Sequence, residues 1–213
     1  MPTTPELRIA ILAKAPLPGL AKTRLTPALG AAGAAALAER MLRHAAAQAS
    51  GAAPGRVTLW TAPDATHPVF TQLQLQHGLA LEVQPGGDLG ARMAHVFATA
   101  FAAGAGPLLL MGSDIPALDA ATLARAAASL QSRPAVFVPA LDGGYTLVGL
   151  RAPLPGLLAA LFEGMTWSTP QVMHQTRQRL AALGVSHAEL PALSDIDEPD
   201  DLARLPPGWF GAG

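Results

Sequence analysis

Apolar residues in this chain occur in short runs separated by longer amphipathic segments, a pattern typical of strands that alternate with helices. The runs predict strands at residues 7–13, 56–61, 79–83, 107–111, 135–139, 145–150 and 186–190. Helical patterns between most of them predict helices at 30–50, 64–77, 88–103, 119–132 and 169–183, and a short closing one at 198–205. Asp119 and Ser168 are the expected N-caps, and Gly184 is an expected C-cap.

This alternation indicates an α/β protein with a mainly parallel sheet covered by helices on both faces. The strands predicted at 135–139 and 145–150 are close in sequence, with Asp142-Gly143-Gly144 between them. That spacing predicts a hairpin or bulged turn inserted into the parallel pattern. Since no repeat, low-complexity linker or composition shift divides the sequence, we expect a single domain over residues 1–213.

Composition narrows the class of protein. With 50% hydrophobic and 14% charged residues, the chain can bury a large core. Its formal net charge of −1 offers no overall field for nucleic acid or an anionic membrane, so any anion site must be local. It has no cysteine, which excludes disulfides, thiolate catalysis and cysteine-ligated metals. The sequence lacks a signal peptide and a membrane-spanning segment, so a cytoplasmic protein is expected.

A basic loop follows the first predicted strand. Residues 13–25 read AKAPLPGLAKTRL. Gly19 can hold the backbone open, N–H groups from Ala13 onwards can point at phosphate oxygens, and Lys22 and Arg24 can neutralise them. The loop matches neither the P-loop nor the G-x-G-x-x-G pattern. It therefore predicts a nucleotide or phosphate site, and the alternative is an exposed turn with solvated basic side chains.

Carboxylates follow later strands, at the edge of an open α/β sheet where ligands bind. Asp114 comes directly after the strand at 107–111 and can ligate Mg²⁺ or Mn²⁺ beside phosphates; an Asx-turn or helix cap is the alternative. Asp197 lies where the chain enters the closing helix, as a second metal ligand or as a cap of that helix. Whether Asp195 or Asp197 is the second ligand stays open.

The Asp-Gly-Gly-Tyr segment at 142–145 is a third strand exit. Its consecutive glycines suggest that a ligand passes close to the backbone, so Asp142, Gly143, Gly144 and Tyr145 are expected to contact an acceptor. An ordinary Asp-Gly hairpin turn is the competing interpretation.

Two weaker candidates lie on either side of this segment in the sequence. Arg92 follows a glycine-rich entry to a helix and can reach a phosphate, although a helix start alone explains the glycines. Trp167 can form a platform on the acceptor side or serve as a buried aromatic anchor. The histidines show no H-E-x-x-H pattern, and G-x-S-x-G is absent, which removes the usual signal of a serine hydrolase.

Six motifs in order carry a family resemblance: AKAPLPGLAKTRL, GGDLGARM, GSDIPAL, DGGYTLVGL, FEGMTWSTP and DIDEPDDL. From about residue 9 to residue 202 the chain resembles small bacterial A-type glycosyltransferase-like proteins associated with radical-SAM and selenium or arsenosugar gene neighbourhoods. That family is related to 2-phospho-L-lactate and molybdenum-cofactor guanylyltransferases. The resemblance implies a nucleotide-diphospho-sugar transferase fold, a GT-A-like three-layer α/β/α sandwich with a mostly parallel central sheet.

The resemblance also implies residue roles. It places Lys22 and Arg24 in the phosphate-binding loop, Asp114 at the metal-binding aspartate and Asp197 at the second acidic position. Leu141 stands where many relatives have an acidic residue before Asp-Gly-Gly-Tyr, so this chain departs from the pattern there.

Three functions are compatible with these motifs. The leading one is metal-assisted glycosyl transfer from a nucleotide sugar, in which Asp142 helps to orient a small-molecule acceptor. The second is nucleotidyl transfer from a nucleoside triphosphate to a phosphorylated acceptor, with Lys22 and Arg24 stabilising the reacting phosphate. The third, a non-enzymatic nucleotide-binding protein, is disfavoured by the carboxylates that accompany the basic loop. The sequence does not determine the oligomeric state.

Overall fold

The computed structural model describes residues 6–209. Within that range the strands are β1 Arg8–Lys14, β2 Val57–Ala62, β3 Ala80–Val83, β4 Leu108–Gly112, β5 Ala135–Pro139, β6 Tyr145–Leu150 and β7 His187–Glu189. The α-helices are α1 Thr26–Ala52, α2 Pro68–His77, α3 Leu89–Ala102, α4 Ala120–Ser132, α5 Leu157–Phe162 and α6 Val172–Ala182. Short 3₁₀ turns lie at Thr23–Leu25 and Pro199–Arg204.

The strands form one sheet in the order β3-β2-β1-β4-β6-β5-β7. Neighbouring strands are parallel except at β6, which runs antiparallel to both β4 and β5. The mostly parallel sheet and the predicted hairpin are both confirmed. The carboxyl ends of β1 and β4 consequently meet at the same edge, beside the turn between β5 and β6.

Helices cover both faces of the sheet because its strands bury alternate residues on opposite sides. On β1, Ile9 and Ile11 belong to the core cluster that α1, α2 and α4 complete. Ala10 and Leu12 pack in the cluster that α3, α5 and α6 complete. This is the three-layer α/β/α sandwich that the motifs imply. None of the helices within residues 6–209 combines the length and apolarity needed to cross a membrane.

The start of α4 agrees with the boundary predicted from its capping residue, whereas the start of α6, which follows Pro170, differs from the prediction. Asp119 accepts from the Thr122 N–H at 2.7 Å, so this predicted N-cap is confirmed. The C-cap of α6 is Leu183, and the predicted Gly184 lies one residue beyond it, where it takes φ 65. The prediction that Ser168 caps a helix is wrong, because α6 begins only at Val172. Pro170 disfavours helical backbone at Thr169, and Ser168, one residue earlier, takes the left-handed conformation with φ 59.

Candidate active site

A cavity of about 560 Å³ opens at the carboxyl edge of the sheet. Its wall brings together most of the residues that the sequence proposes for the site: Ala13, Lys22, Arg24, Asp114, Asp142, Gly144, Tyr145, Trp167 and Asp197. The cavity therefore joins the basic loop, the carboxylates and the aromatic side chains that are far apart in the sequence.

An ion-pair network lies within this wall. The Lys22 ammonium is 2.5 Å from an Asp114 carboxylate oxygen and 3.3 Å from one of Asp197, and Arg24 is 2.7 Å from the other Asp197 oxygen. Burial opposes the charge on Lys22, but Asp114 and Asp197 outweigh it and raise its pKa above the ordinary value. Lys22 is only 10% exposed and Arg24 is 64% exposed, so a fully solvated basic turn is the wrong interpretation for Lys22.

The backbone at Lys22 supports this inward orientation. Lys22 takes the left-handed conformation, with φ 48 and ψ 46, immediately before the 3₁₀ turn Thr23–Leu25. A non-glycine residue in that region is strained, so neighbouring contacts must hold it there. The fully buried side chain of Leu25 provides such an anchor, since it packs in a small cluster with Met41 and Ile196.

Ile196 also fixes the position of its two neighbours in the sequence, Asp195 and Asp197. Its N–H donates to the Asp114 carbonyl at 3.0 Å, which ties the C-terminal segment to the end of β4. The N–H groups of Asp197 and Glu198 both donate to an Asp201 carboxylate oxygen, and Glu198 is the N-cap of the closing turn. Glu198 and Asp201 thus form a capping box, and the alternative that Asp197 caps the closing helix is wrong.

Asp195 is a cavity carboxylate that the sequence analysis names only as an alternative to Asp197. Burial, together with the charges of Asp114 and Asp142, raises the pKa of Asp195 to about 6. Asp142 accepts a hydrogen bond from the Gly144 N–H at 2.9 Å, as an Asp-Gly turn requires, while lining the cavity. Asp114, Asp142 and Asp195 therefore line the same cavity, and the charges of the first two act on the third.

We expect Asp195→Asn to stabilise the protein at neutral pH. The pKa of Asp195 rises from 3.8 to about 6 in the folded state, so its unfavourable contribution develops between those pH values and is complete above them. Full burial would make this shift worth about 3 kcal/mol, which solvent screening of the partly exposed carboxyl reduces to about 1 kcal/mol.

Denaturant unfolding of both proteins at pH 3.5 and pH 7.5 would measure this difference. The variant should gain about 1 kcal/mol only at the higher pH. An equal gain at both values would contradict the electrostatic explanation.

The cavity wall opposite the basic loop is aromatic. The Tyr145 and Trp167 rings meet edge to face, with centroids 6.3 Å apart. Trp167 also packs directly over Gly90 at the start of α3, where a Cβ would lie 2.6 Å from the indole nitrogen and would overlap the Phe162 carbonyl oxygen. Only glycine at position 90 leaves room for the indole. Trp167 thus lines the cavity and anchors the wall.

Some predicted site residues lie outside the cavity wall. Gly19 takes φ 77 in the basic loop, Gly143 packs against the Pro170 backbone with φ 93, and the Arg92 Nε donates to the Gly87 carbonyl at 3.2 Å. Their proposed ligand contacts stay predictions.

Sequence reasoning missed Gln84, which lines the cavity and whose amide nitrogen donates to the carbonyls of Ala13 and Trp60. It also missed the packing role of Gly90. A glycine inside the helical GGDLGARM motif was the available signal.

The carboxylates suit a divalent ion only together with a substrate. Within residues 6–209, no group of three or more His, Asp or Glu side chains is arranged to hold a metal. Asp114 and Asp197 converge on the single Lys22 ammonium, which shows that they can share one cation. Mg²⁺ typically takes one or two carboxylates and completes its shell with water and substrate phosphates, so this pair fits such an ion.

Comparison with known structures supports the same fold. A crystal structure of a proposed nucleotide-diphospho-sugar transferase from Desulfovibrio desulfuricans G20 is 30% identical, covers 91% of this chain and 83% of its own, and has a TM-score of 0.75. A cytidylyltransferase from Leptospira borgpetersenii is 13% identical over 92% of this chain and 83% of its own, with a TM-score of 0.58.

A 4-diphosphocytidyl-2C-methyl-D-erythritol synthase from Anaerococcus prevotii is 9% identical, with 95% and 97% coverage of the two chains and a TM-score of 0.62. At these low identities the last two show a shared fold. No protein of curated function matches the sequence.

A family model supplies the sequence-level assignment. It matches residues 44–169, which include the end of β4 with Asp114, the hairpin with Asp142, and Trp167. The basic loop and the Asp197 segment lie on either side of the matched region and complete the cavity in the folded chain. The chain belongs to the family described as "Uncharacterized protein conserved in bacteria (DUF2064)".

Proposed function

We propose that this chain is a metal-assisted transferase that moves a sugar from a nucleotide-diphospho-sugar donor to a small-molecule acceptor. The observation that carries the proposal is the convergence of Lys22, Arg24 and Asp114 in one cavity at the carboxyl edge of the sheet. The name of the 30% identical relative supports this reaction class. The finer assignment, to the branch associated with radical-SAM and selenium or arsenosugar genes, is part of the proposal.

In this reaction the bond between the anomeric carbon and the diphosphate oxygen breaks, and an acceptor atom bonds to that carbon and releases its proton to water. Lys22 and Arg24 would hold the diphosphate and stabilise the charge it gains as it leaves. Asp142 would orient the acceptor beside Tyr145 and Trp167. When bound, a Mg²⁺ or Mn²⁺ ion held by Asp114 and Asp197 would supply further neutralisation of the polyphosphate.

The products released from defined donors test the proposal. The protein is incubated with a panel of nucleotide sugars and, separately, with nucleoside triphosphates and sugar phosphates. Glycosyl transfer releases a nucleoside diphosphate from a nucleotide sugar, with Lys22→Ala as the inactive control. Release of pyrophosphate from a triphosphate, with no turnover of nucleotide sugars, would contradict it.

Nucleotidyl transfer is the second candidate function. It is favoured by the cytidylyltransferases among the proteins that share the fold. Lys22 and Arg24 would then stabilise the negative charge on the α-phosphate oxygens while an acceptor phosphate attacks the phosphorus and pyrophosphate leaves. This reaction requires a cationic contact for the acceptor phosphate, whereas the wall around Asp142 is acidic.

We expect nucleotide binding to depend on a divalent ion, and Asp114→Asn to weaken that dependence. Carboxylates repel a polyphosphate unless a cation lies between them. Calorimetric titration of a nucleoside diphosphate with Mg²⁺ and with chelator should show tighter binding with the ion. In chelator Asp114→Asn should bind at least as tightly as the wild type, because one repelling charge is gone. Asp64→Asn, outside the cavity, is the control; equal wild-type affinity in both buffers would argue against a metal-bridged site.

A further inference from the structure

The cavity has two chemically different sides. In the sheet, β1, β2 and β3 lie on one side of β4, and β6 and β5 lie on the other. The basic loop follows β1. We define the acceptor side as Asp142, Tyr145, Trp167 and Asp195. The hairpin supplies the first two, and Trp167 packs on Tyr145. Residue 193 forms a bridge with the end of the hairpin, which brings Asp195 to the same wall.

The acceptor side carries negative charge that is only partly offset, since the increase that burial causes in the pKa of Asp195 exceeds the decrease that Lys22 causes. The basic residues in the cavity wall are Lys14, Lys22 and Arg24, which belong to β1 and the loop after it. Lys22 and Arg24 already pair with Asp114 and Asp197. In residues 6–209, neither Asp142 nor Asp195 forms an ion pair. A cationic ligand is therefore the group that this side lacks.

The aromatic side chains strengthen this conclusion independently of the carboxylates. Tyr145 and Trp167 are nearly perpendicular, at 89°, and both line the cavity. Within residues 6–209, the hydrogen-bond partner of the partly buried Tyr145 hydroxyl is the Met93 sulfur, at 4.0 Å, which is a weak acceptor. Aromatic faces attract ammonium groups, and a hydroxyl with such a weak partner retains capacity for a ligand hydrogen bond.

We infer that the acceptor carries a protonated amine together with neutral hydroxyl groups, as in an amino sugar or an amino alcohol, and carries no phosphate. Asp142 and Asp195 would bind the ammonium group, and Tyr145 would hydrogen-bond a hydroxyl. A phosphate in the same position would face two carboxylates that no ion pair neutralises, with only the partial offset that Lys22 gives Asp195. This inference rests on the proposed glycosyl transfer, since a phosphorylated acceptor is what nucleotidyl transfer requires.

Three hexoses that differ chiefly in charge test the inference: glucosamine, glucose and glucose 6-phosphate. UDP, GDP and CDP are first titrated to find the nucleotide that binds, and the hexoses are then compared on the loaded protein by saturation-transfer NMR at neutral pH and low salt. Glucosamine should bind about fivefold more tightly than glucose, as one ammonium contact provides, and glucose 6-phosphate most weakly.

Matched variants assign the preference to the acceptor side. Asp142→Asn and Asp195→Asn should each reduce the preference for glucosamine to about twofold or less, since one contact to the ammonium group is lost. Glu163→Gln removes an exposed carboxylate outside the cavity wall and should leave the preference intact.

The outcomes separate this inference from the function on which it rests. If a nucleotide binds but glucose 6-phosphate is the tightest hexose, or if both Asn variants keep the full preference, the amine assignment is overturned while the donor site stands. The amine assignment would also be overturned if the wild type showed no preference for glucosamine and Asp142→Asn lost Mn²⁺ binding. That result would assign these carboxylates to a metal. Failure of all three nucleotides to bind would overturn the proposed function as well.

Discussion

Lys22→Ala is expected to lower nucleotide affinity by about a hundredfold or more. One charged hydrogen bond to phosphate is worth roughly 1.5 to 3 kcal/mol, about tenfold to a hundredfold. The variant also leaves Asp114 and Asp197, which share the Lys22 ammonium, to repel the phosphate. Calorimetry with nucleoside diphosphate would measure the loss, and Arg151→Ala, an exposed site outside the cavity wall, provides the control.

Arg24→Ala is expected to lower nucleotide affinity without changing the stability of the fold. Arg24 is 64% exposed, so its loss should weaken nucleotide binding about tenfold while changing the unfolding free energy by less than about 0.5 kcal/mol. Lys22→Ala should also destabilise the fold, because two partly buried carboxylates lose their shared cation. Arg24→Lys should recover little affinity if the guanidinium grips two oxygens. Wild-type affinity in both alanine variants would place the phosphate site elsewhere.

Gly90→Ala is expected to lower the unfolding free energy by about 2 to 3 kcal/mol and to impair turnover. The added Cβ would overlap the Phe162 carbonyl oxygen and lie 2.6 Å from the Trp167 indole nitrogen. Backbone cannot yield as a flexible side chain can, and overpacking of this kind typically costs 1 to 3 kcal/mol. A displaced indole would also disturb the edge-to-face contact with Tyr145 and distort the cavity wall.

Gly86→Ala is the matched control for this substitution. Nothing lies within 4 Å of a Cβ at position 86, and its backbone is not in the left-handed region. Chemical unfolding should therefore show little change for Gly86→Ala. Activity with saturating donor should fall only in Gly90→Ala. Similar stability of the two variants would show that Trp167 can shift without cost.

Much of the fold was predictable because strand burial and helix capping are local signals. The apolar run before Lys14 and the acidic N-cap at Asp119 each identify an element by its own sequence. Helix α5 was missed because its six residues, between proline- and glycine-containing turns, are too few to display helical periodicity. The start of α6 was misplaced because the packing of Pro170 against Gly143 is a long-range contact.

The candidate site was predictable in its residues but not in their pairing. Strand exits identified Asp114 and the basic loop, because parallel strands present their carboxyl ends at a common edge. Two features follow only from the tertiary structure. Asp201 takes part in the cap of the closing turn, so the Asp197 carboxylate pairs with Lys22, and burial raises the pKa of Asp195. Both depend on how the segment around Ile196 docks, which no local pattern encodes.

The contact between Lys22 and Asp197 joins residues 175 positions apart, and this separation affects the order of folding. Contacts of such long range form only after much of the chain has collapsed, so partly folded forms can contain the sheet before they contain the completed cavity. A nucleotide that binds only the completed site stabilises the docked C-terminal segment by mass action. Ligand should therefore protect the backbone amides around Ile196 from hydrogen exchange more than those at the centre of the sheet.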